Sequence, residues 1–281
     1  MNAITTLATR DASPWGRIDS WFEDVWIMTR RNLIHVRREP HQLSDVTIQP
    51  ILFTLLFVFI FGGAMVLPGG GEYMQFVLGG LLTMNLATSS VGTAIGLSTD
   101  LSTGFISRLR TLPMAQTSIL VGRSVSDLLA AMLCSVFVAA TGLAIGWRPD
   151  AGIFSVLAGF GIALFFSYAF TWVNACLAMF VKGAEAVEGI AMMLMLALAF
   201  VSNSFVPTQG MPGWLGAIAN WNPVSAVASA IRSLFGNPNP SATIEAWSMQ
   251  HPVLTSVLWS AVLLAVCVPL AGWLFRRRTR D

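Results

Sequence analysis

The long apolar runs of this chain contain no charged side chains. Charged residues make up 11% of the 281 residues, hydrophobic residues make up 55%, and the mean hydropathy is +0.68. A soluble domain of this size has about twice as much charge. This scarcity of charge therefore predicts an integral membrane protein.

The chain also has very little lysine and histidine. A phosphate-binding loop requires a Gly-Lys-Ser/Thr sequence, and the single lysine, Lys182, follows Val181. His35, His41 and His251 are too far apart in the sequence to predict a metal cluster. We therefore expect no ATPase site, no metal and no other cofactor bound by this chain, which is predicted not to be an enzyme.

Ionisable side chains are also missing from the centres of the apolar runs. Ion-coupled carriers usually keep Asp, Glu, His or Lys within the membrane to bind the driving ion. Here Asp100, Asp127, Glu185 and Glu188 lie at the predicted span ends. If the protein moves a solute uphill, the energy is expected to come from another polypeptide.

Cysteine is scarce as well. Cys134, Cys176 and Cys267 each lie in a predicted span, away from an oxidising compartment. We interpret them as packing residues.

Six charge-free runs are long enough to cross about 30 Å of hydrocarbon as helices. The fold class predicted is an all-α integral membrane protein with six transmembrane helices, at 46–66, 74–98, 128–146, 153–180, 188–206 and 253–275. The predicted domains are a cytoplasmic N-terminal segment (1–45), a permease domain (46–275) and a basic cytoplasmic tail (276–281).

Basic residues are distributed unevenly around these spans. With both termini on the cytoplasmic side, fourteen of the sixteen Lys and Arg residues are cytoplasmic, and only Arg148 and Arg232 lie outside. Cytoplasmic loops retain positive charge, so this orientation is the one expected. The net charge of +2 then reflects sidedness and lipid headgroup contact, and nucleic-acid binding is not expected.

An amphipathic helix is predicted before the first span, from Ser20 to 38. Ser20 and Glu23 form a capping-box pattern, and Pro40 marks the end. Such a helix can lie in the inner headgroup layer, either as a plain anchor or also touching a partner. One face of this helix carries Phe22, Trp26, Thr29, Leu33 and Val36 at spacings of three and four, and Trp21 lies beside it. The basic residues are Arg30, Arg31, Arg37 and Arg38.

The loop after the second span contains a second short amphipathic pattern. Phe105, Ile106, Leu109 and Leu112 recur at helical spacing, with Arg108 and Arg110 between them, until Pro113 prevents the helix from continuing. This segment is either a helix that transmits a push from a soluble motor to the membrane helices, or a solvated loop whose arginines only fix the topology.

Two spans carry polar or flexible residues that could face a transport pathway. Span two is rich in Ser, Thr and Asn, and span five has several methionines; the pathway candidates are Asn85, Ser89, Met195 and Asn203. Packing between helices is the commoner use of such residues. The pairs Gly92-xxx-Gly96 and Gly142-xxx-Gly146 permit close helix packing, which we expect within the chain rather than at a dimer interface.

A re-entrant outer segment is predicted between spans five and six. Asn222-Pro223 indicates the start of a helix and Gly236 its end. With the run from Val206 it could form a hairpin that acts as an outer gate, and Trp214, Trp221 and Trp247 fit the membrane interface. The candidate gate residues are Phe205, Pro207, Asn222 and Pro223.

Several segments resemble the permease subunits of type-2 ABC exporters, especially the daunorubicin-resistance branch. They are Gly104-Phe-Ile-Ser-Arg-Leu-Arg-Thr-Leu-Pro-Met114 with Gly122-Arg123; Phe200-Val-Ser-Asn-Ser-Phe-Val-Pro207; Met211-Pro-Gly-Trp214; Asn220-Trp-Asn-Pro-Val-Ser225 with Ala230-Ile-Arg232; and Pro50-Ile-Leu-Phe53 with Phe61-Gly-Gly63. The resemblance covers nearly the whole chain in order.

The resemblance implies a subunit of a multi-pass exporter in the bacterial plasma membrane, paired with a second permease copy or homologue and with two separate ATPase subunits that bind ATP and Mg. It implies an elbow helix at 20–38 and a coupling helix at 104–114. Many relatives carry an acidic residue where this chain has Ser107, so an ionic contact with the ATPase would be weaker or would come from Asp100. The coupling residues implied are Asp100, Gly104, Phe105, Arg108, Leu109, Arg110, Leu112, Pro113 and Arg123.

Three functions are considered. The first is the membrane subunit of an ATP-driven exporter of amphipathic drugs or lipid-like compounds. The second is an exporter of polysaccharide or lipid-linked glycan, which the presence of only two tyrosines disfavours because sugars stack on aromatic side chains. The third is a self-contained channel or secondary carrier, which would transport without an ATPase.

Overall fold

The computed structural model describes residues 14–38, 40–65, 67–68, 70–105 and 116–278, and every regular element among them is a helix. The fold class is therefore all-α, as predicted. The helices are α1 (Pro14–Arg38), α2 (Pro40–Val46), α3 (Ile48–Leu56), α4 (Tyr73–Ser89), α5 (Val91–Ser102), α6 (Gln116–Ile145), α7 (Ile153–Phe180), α8 (Ala184–Phe200), α9 (Gly213–Trp221), α10 (Pro223–Phe235), α11 (Trp247–Gln250) and α12 (Pro252–Arg278).

Apolar helices occur at all six predicted span positions. Four stretches are long enough to cross a membrane: Tyr73–Ser102, Ser118–Ile145, Ile153–Phe180 and Pro252–Arg278. The other two are shorter, since α3 continues only through a π-helical turn to Phe61 and α8 has 17 residues. The number of helices that cross the bilayer stays a prediction.

Three predicted boundaries are wrong. Helix α1 begins at Pro14 rather than at Ser20, and proline is itself a favoured first residue of a helix. Helix α6 begins at Gln116, well before residue 128, so Asp127 lies within the helix instead of at its end. Helix α12 continues to Arg278, past the predicted boundary of the basic tail.

The first long span is interrupted near its middle. Ser90 separates α4 from α5, and its hydroxyl donates to the Ala87 carbonyl at 2.6 Å. The amide of Asn174, on α7, donates to the Ser90 hydroxyl at 2.7 Å. Polar residues of this span therefore bond to the backbone and to neighbouring helices, which was the commoner alternative expected for them.

Helix α10 lies in the core of the bundle, packed on α4, α7 and α12. Its side chains are mostly small, and ten of its 13 residues are buried. The predicted bounds are confirmed: the Asn222 side chain caps the first turn, Pro223 is the first helical residue, and Gly236 ends the helix with φ of 72°. Helices α9 and α10, joined at Asn222, lie between α8 and α12 in the sequence, and we call this pair of helices the outer hairpin.

Candidate functional site

Helix α1 is fixed to the bundle by close contact with α6 at Gly122. A Cβ atom at Gly122 would lie 2.5 Å from Cβ of Met28, and the Thr29 hydroxyl donates to the Gly122 carbonyl at 3.1 Å. Phe22 and Trp26, on the predicted apolar side, are more than half exposed. Helix α1 therefore packs on α6 along one side and leaves aromatic side chains on another, where lipid can cover them.

The end of α5 and the start of the following loop are joined to α1 by Arg31. Its guanidinium forms a two-point ion pair with Asp100, with Nη2 2.8 Å from Oδ1 and Nη1 3.3 Å from Oδ2. The same guanidinium lies over the Phe105 ring, with Cζ 3.8 Å from the ring centroid. Three residues assigned from two separate segments of the sequence therefore meet at one place.

Arg123 extends this contact from α6 to α5. Its Nη2 donates to the Gly92 carbonyl at 2.8 Å, and Nη1 lies 3.8 Å from Oδ2 of Asp100. The guanidinium lies directly against α5 because position 96 has no side chain: a Cβ at Gly96 would lie 1.8 Å from Nη2. The Gly92-xxx-Gly96 pair thus packs within the chain, as expected, but the group it accommodates is an arginine.

Asp127 completes an alternating row of charges, which we call the coupling cluster: Arg31, Asp100, Arg123 and Asp127. Oδ2 of Asp127 lies 3.9 Å from Nε of Arg123 and accepts a hydrogen bond from the hydroxyl of Thr93. Two positive and two negative side chains neutralise one another, which reduces the cost of placing them at the end of an apolar bundle. The cluster ties α1, α5 and α6 into one unit.

One expectation about acidic residues needs correction. Asp127 was placed at a span end, yet its side chain is only 12% exposed within α6. It accepts a hydrogen bond from Thr93 and lies within ion-pair distance of Arg123. The Asp100 carboxylate pairs with two arginines of its own chain, and its ionic contact with an ATPase stays a prediction.

The remaining coupling and elbow residues are only partly described. Gly104 has φ of 67°, a left-handed conformation that favours glycine, and it ends the helical span before Phe105. Trp21 packs edge-on against Phe22, Arg30 is exposed and Leu33 is half-buried. Arg108, Leu109, Arg110, Leu112 and Pro113 lie outside the described residues.

The four predicted pathway residues do not form one surface in the described structure. The Asn85 amide donates to Leu81 and the Ser89 hydroxyl to Leu86, both within α4. Met195 and Asn203 are buried, with exposures of 3% and 0%. Their assignment to a pathway stays a prediction.

The predicted gate residues lie together at the opposite end of the α4–α5 span. Phe205 stacks on Phe57, with ring centroids 4.5 Å apart, and its carbonyl accepts from the Tyr73 hydroxyl at 3.1 Å. Pro207 is buried before a short 3-10 turn. The Asn222 amide donates to the carbonyls of Leu198 and Val201, so it joins the start of α10 to the end of α8.

Arg232 was missed as a site residue, because the charge distribution placed it in an outer loop. It is fully buried on α10, and its guanidinium binds backbone carbonyls from two other segments. On α10, Ser225 and Ser229 are four residues apart, and Ser229 is three residues before Arg232. This polar stripe on an otherwise apolar helix was the available signal.

These features are those of a multi-pass helical membrane protein, with a charged cluster at one end of the bundle and a hydrogen-bonded outer segment at the other. Comparison with known proteins is consistent with this class. The sequence model of the ABC-2 type transporter family matches residues 23–235, and the chain belongs to this family.

Several relatives align over most of both chains. The daunorubicin resistance ABC transporter permease protein DrrB1 of Streptomyces coeruleorubidus is 32% identical over 88% of this chain and 84% of its own. The probable doxorubicin resistance ABC transporter permease protein DrrC of Mycobacterium tuberculosis is 26% identical over 87% and 86%. The putative transport permease ycf38 of Porphyra purpurea is 24% identical over 88% and 83%.

Proposed function

We propose that this chain is the membrane subunit of an ATP-driven exporter that moves amphipathic drugs or lipid-like compounds outward, with the energy supplied by a separate ATPase. The observation that carries the proposal is the coupling cluster. It gathers, at one end of the bundle, the two segments that the resemblance assigns to contact with the ATPase. The relation to permeases named for daunorubicin and doxorubicin resistance supports the substrate class.

The cluster offers a direct route for mechanical coupling. A displacement of the loop that begins at Phe105 would act on Arg31 and Asp100, and therefore on α1 and α5 together. Arg123 passes the same displacement to α6. Because all three helices are joined through charged side chains, they would move as one body when the ATPase closes.

The span formed by α4 and α5 connects this end of the bundle to the predicted gate. Phe76 and Asp100 lie near its two ends, about 36 Å apart at the rise of an α-helix. The interruption at Ser90 lies between them, and the Asn174 amide of α7 donates to the Ser90 hydroxyl. A shift of α5 would therefore be transmitted across Ser90 to α4 and from α4 to the outer hairpin.

Buried ionisable groups do not argue for an ion-coupled carrier here. The sequence predicted none in the interior, but Asp127 and Arg232 are both buried. Asp127 accepts a hydrogen bond from Thr93 and lies 3.9 Å from Nε of Arg123, and Arg232 donates to backbone carbonyls. Since each group is satisfied by partners within the chain, an external source of energy remains the better explanation.

The complete assembly is proposed to contain two ATPase copies, which bind ATP and Mg, and a second permease copy or homologue, in the bacterial plasma membrane with both permease termini cytoplasmic. Basic residues support this orientation. Arg31 and Arg123 lie at the same end as α5, and Arg278 at the end of α12 donates to the carbonyls of Ala178, Met179 and Val181. Positive charge concentrated at one end is typical of a cytoplasmic face.

The test is transport by the reconstituted complex. The chain would be co-expressed with its proposed ATPase subunit, purified and placed in proteoliposomes, with doxorubicin as the fluorescent probe. We expect ATP to drive doxorubicin movement and doxorubicin to stimulate ATP hydrolysis. A non-hydrolysable ATP analogue is the matched control.

Gradient-driven flux through the purified chain without an ATPase would overturn the proposal and favour a channel or secondary carrier. Stimulation of ATP hydrolysis by a lipid-linked glycan but not by doxorubicin would keep the exporter and replace its substrate class.

A further inference from the structure

Arg232 is a buried cation whose partners are neutral. It is the largest of the fully buried side chains, with 0% exposure. Among the described residues no carboxylate lies within ion-pair distance of its guanidinium. A charge is normally buried only with strong compensation, so the groups that surround it carry information about its role.

The compensation comes from backbone carbonyls of two separate segments. Nε donates to the Phe76 carbonyl at 2.7 Å, on α4. Nη2 donates to the carbonyls of Asn203 and Ser204, both at 2.9 Å, in the turn that follows α8. Cζ also lies 3.7 Å from the centroid of the Phe76 ring. One side chain of α10 therefore holds α4 and the turn at once.

Two adjacent glycines of α4 make this arrangement possible. A Cβ at Gly79 would lie 2.8 Å from Cγ of Arg232, and a Cβ at Gly80 would lie 1.9 Å from the Ser204 carbonyl oxygen. Helix α4 thus approaches both the arginine stem and the turn more closely than any side chain would allow. The backbone of α4 therefore lies directly against α10 and against the turn, next to the guanidinium.

The turn itself is held to α10 by a second set of bonds. The amide of Asn203 donates to the hydroxyls of Ser229 and Ser241, at 2.7 and 2.9 Å. Its backbone N–H donates to the Ser225 hydroxyl at 3.0 Å, and its side-chain oxygen accepts from Nη1 of Arg232 at 3.3 Å. The carbonyls that bind Arg232 are thereby presented by a fixed turn.

Neutral acceptors have a different consequence from a salt bridge. When the hairpin moves away, water can take the place of each carbonyl on the guanidinium and of the guanidinium on each carbonyl. No opposite charges have to be separated, and the exposed cation regains its hydration. These hydrogen bonds are stable while water is excluded, and they can be replaced by hydrogen bonds to water when the site becomes hydrated.

We propose that Arg232 is the positioning residue of the outer gate. In the closed state it holds the hairpin formed by α9 and α10 against α4 and against the turn at residues 203 and 204. Opening of the outer end requires the guanidinium to leave these carbonyls. This inference rests on the proposed export function, since it assigns the closed gate of that cycle.

The test measures nucleotide-dependent access to α10 in the reconstituted complex. Cys134, Cys176 and Cys267 are replaced by alanine, and Val227→Cys, a reduction in side-chain size at a fully buried position, supplies the reporter. A membrane-impermeant maleimide is added from the outer side. With Arg232 present, we expect slow labelling without nucleotide and labelling at least about tenfold faster in the vanadate-trapped state. This ratio corresponds to an increase of about tenfold in the fraction of molecules whose outer end is open.

Arg232→Met keeps a long side chain but removes every donor, and we expect fast labelling in both states, so that the ratio falls to about one. Arg232→Lys keeps the charge but offers a single ammonium group, and its ratio should lie between the two. Gly161→Ala, where a Cβ meets open space, is the matched packing control and should keep the original ratio.

Slow labelling of the nucleotide-free Arg232→Met complex would overturn the inference and leave Arg232 as a static packing residue. If that variant does not assemble, Arg232→Lys decides the question by the same ratio: an unchanged value overturns the proposal. ATP-driven doxorubicin movement by the unmodified complex tests the export function separately. A complex that transports but shows an unchanged ratio in these variants keeps the function and loses the gate role of Arg232.

Discussion

Replacing Gly96 by alanine is expected to displace Arg123 from the coupling cluster. The added methyl carbon would lie 1.8 Å from Nη2 and 2.3 Å from Cζ of that guanidinium. The clash itself is easily relieved, because the end of a flexible side chain can move. The cost arises from the contacts that Arg123 then loses, above all its 2.8 Å bond to the Gly92 carbonyl.

The size of the effect follows from two opposing terms. Loss of a hydrogen bond made by a charged group costs about 1.5–3 kcal/mol. Alanine is favoured over glycine within a helix by about 1 kcal/mol. The net loss in free energy of unfolding for Gly96→Ala is therefore about 0.5–2 kcal/mol, and substrate-stimulated ATP hydrolysis by the complex should fall with it.

The chain supplies a matched control one helical turn away. A Cβ at Gly92 meets nothing within 4 Å, so Gly92→Ala should be neutral or gain up to about 1 kcal/mol. The assay is unfolding of the purified chain in mixed micelles by SDS titration, followed by tryptophan fluorescence. Both variants are measured on the same preparation of detergent.

A double-mutant cycle makes the test decisive. In an Arg123→Ala background the guanidinium is absent, so Gly96→Ala should change sign and stabilise the chain by about 1 kcal/mol. An equal cost of Gly96→Ala with and without Arg123 would refute the reasoning. A loss for Gly92→Ala as large as that for Gly96→Ala would do the same.

Three further outcomes are expected. Gly80→Ala should destabilise the chain by about 1–3 kcal/mol, because the added methyl would clash with the Ser204 carbonyl, a backbone group that cannot rotate away. Gly161→Ala, where the methyl meets open space, should not destabilise it. Equal melting temperatures of the two variants in detergent would contradict this. Asn222→Ala should lose about 2 kcal/mol in the SDS titration, since the cap and two interhelical bonds disappear. Asn222→Asp keeps the cap but turns a carboxylate oxygen toward the carbonyls of Leu198 and Val201, so it should lose more; a smaller loss for Asp than for Ala would be inconsistent with the amide contacts. Leu109→Pro should leave membrane insertion intact but abolish substrate-stimulated ATP hydrolysis, with Leu109→Ala as the control; normal stimulation by the proline variant would remove the coupling role from this loop.

Sequence patterns predicted helix bounds correctly where a few neighbouring residues determine them. The bounds of α10 follow from Asn222-Pro223 and Gly236, because capping and a left-handed glycine are decided within a few residues. The capping-box pattern at Ser20 failed because Pro14 offered an earlier start, and the helix continues through the weaker signal.

Charge-free runs were a poor guide to the start of α6. Arg123 and Asp127 are four residues apart on this helix and face each other, so their charges cancel locally and the helix continues through both. Counting each charge separately placed the start of the predicted span, at residue 128, too late in the sequence. The proximity of Asp100 to Arg31 was likewise invisible, since 69 residues separate them.

Arg232 shows the limit of sequence reasoning most clearly. Its acceptors lie 156 and 28–29 residues away, and all but the Asn203 side-chain oxygen are backbone carbonyls, which have no residue-type signature. Only the packing of Gly79 and Gly80 against α10 and the turn brings them together. A rule that assigns arginine to loops could not anticipate a site built by tertiary contact.

The shortness of the first apolar helix has a consequence for the surrounding bilayer. From Ile48 to Phe61 it comprises nine α-helical and five π-helical residues, about 21 Å at the usual rise, against about 30 Å of hydrocarbon. Gly62, Gly63 and Ala64, which follow in a turn, are exposed, and uncovered non-helical backbone does not persist in contact with acyl chains. In the predicted topology, in which this helix crosses the bilayer, lipid beside it must form a local depression or give way there to another protein surface.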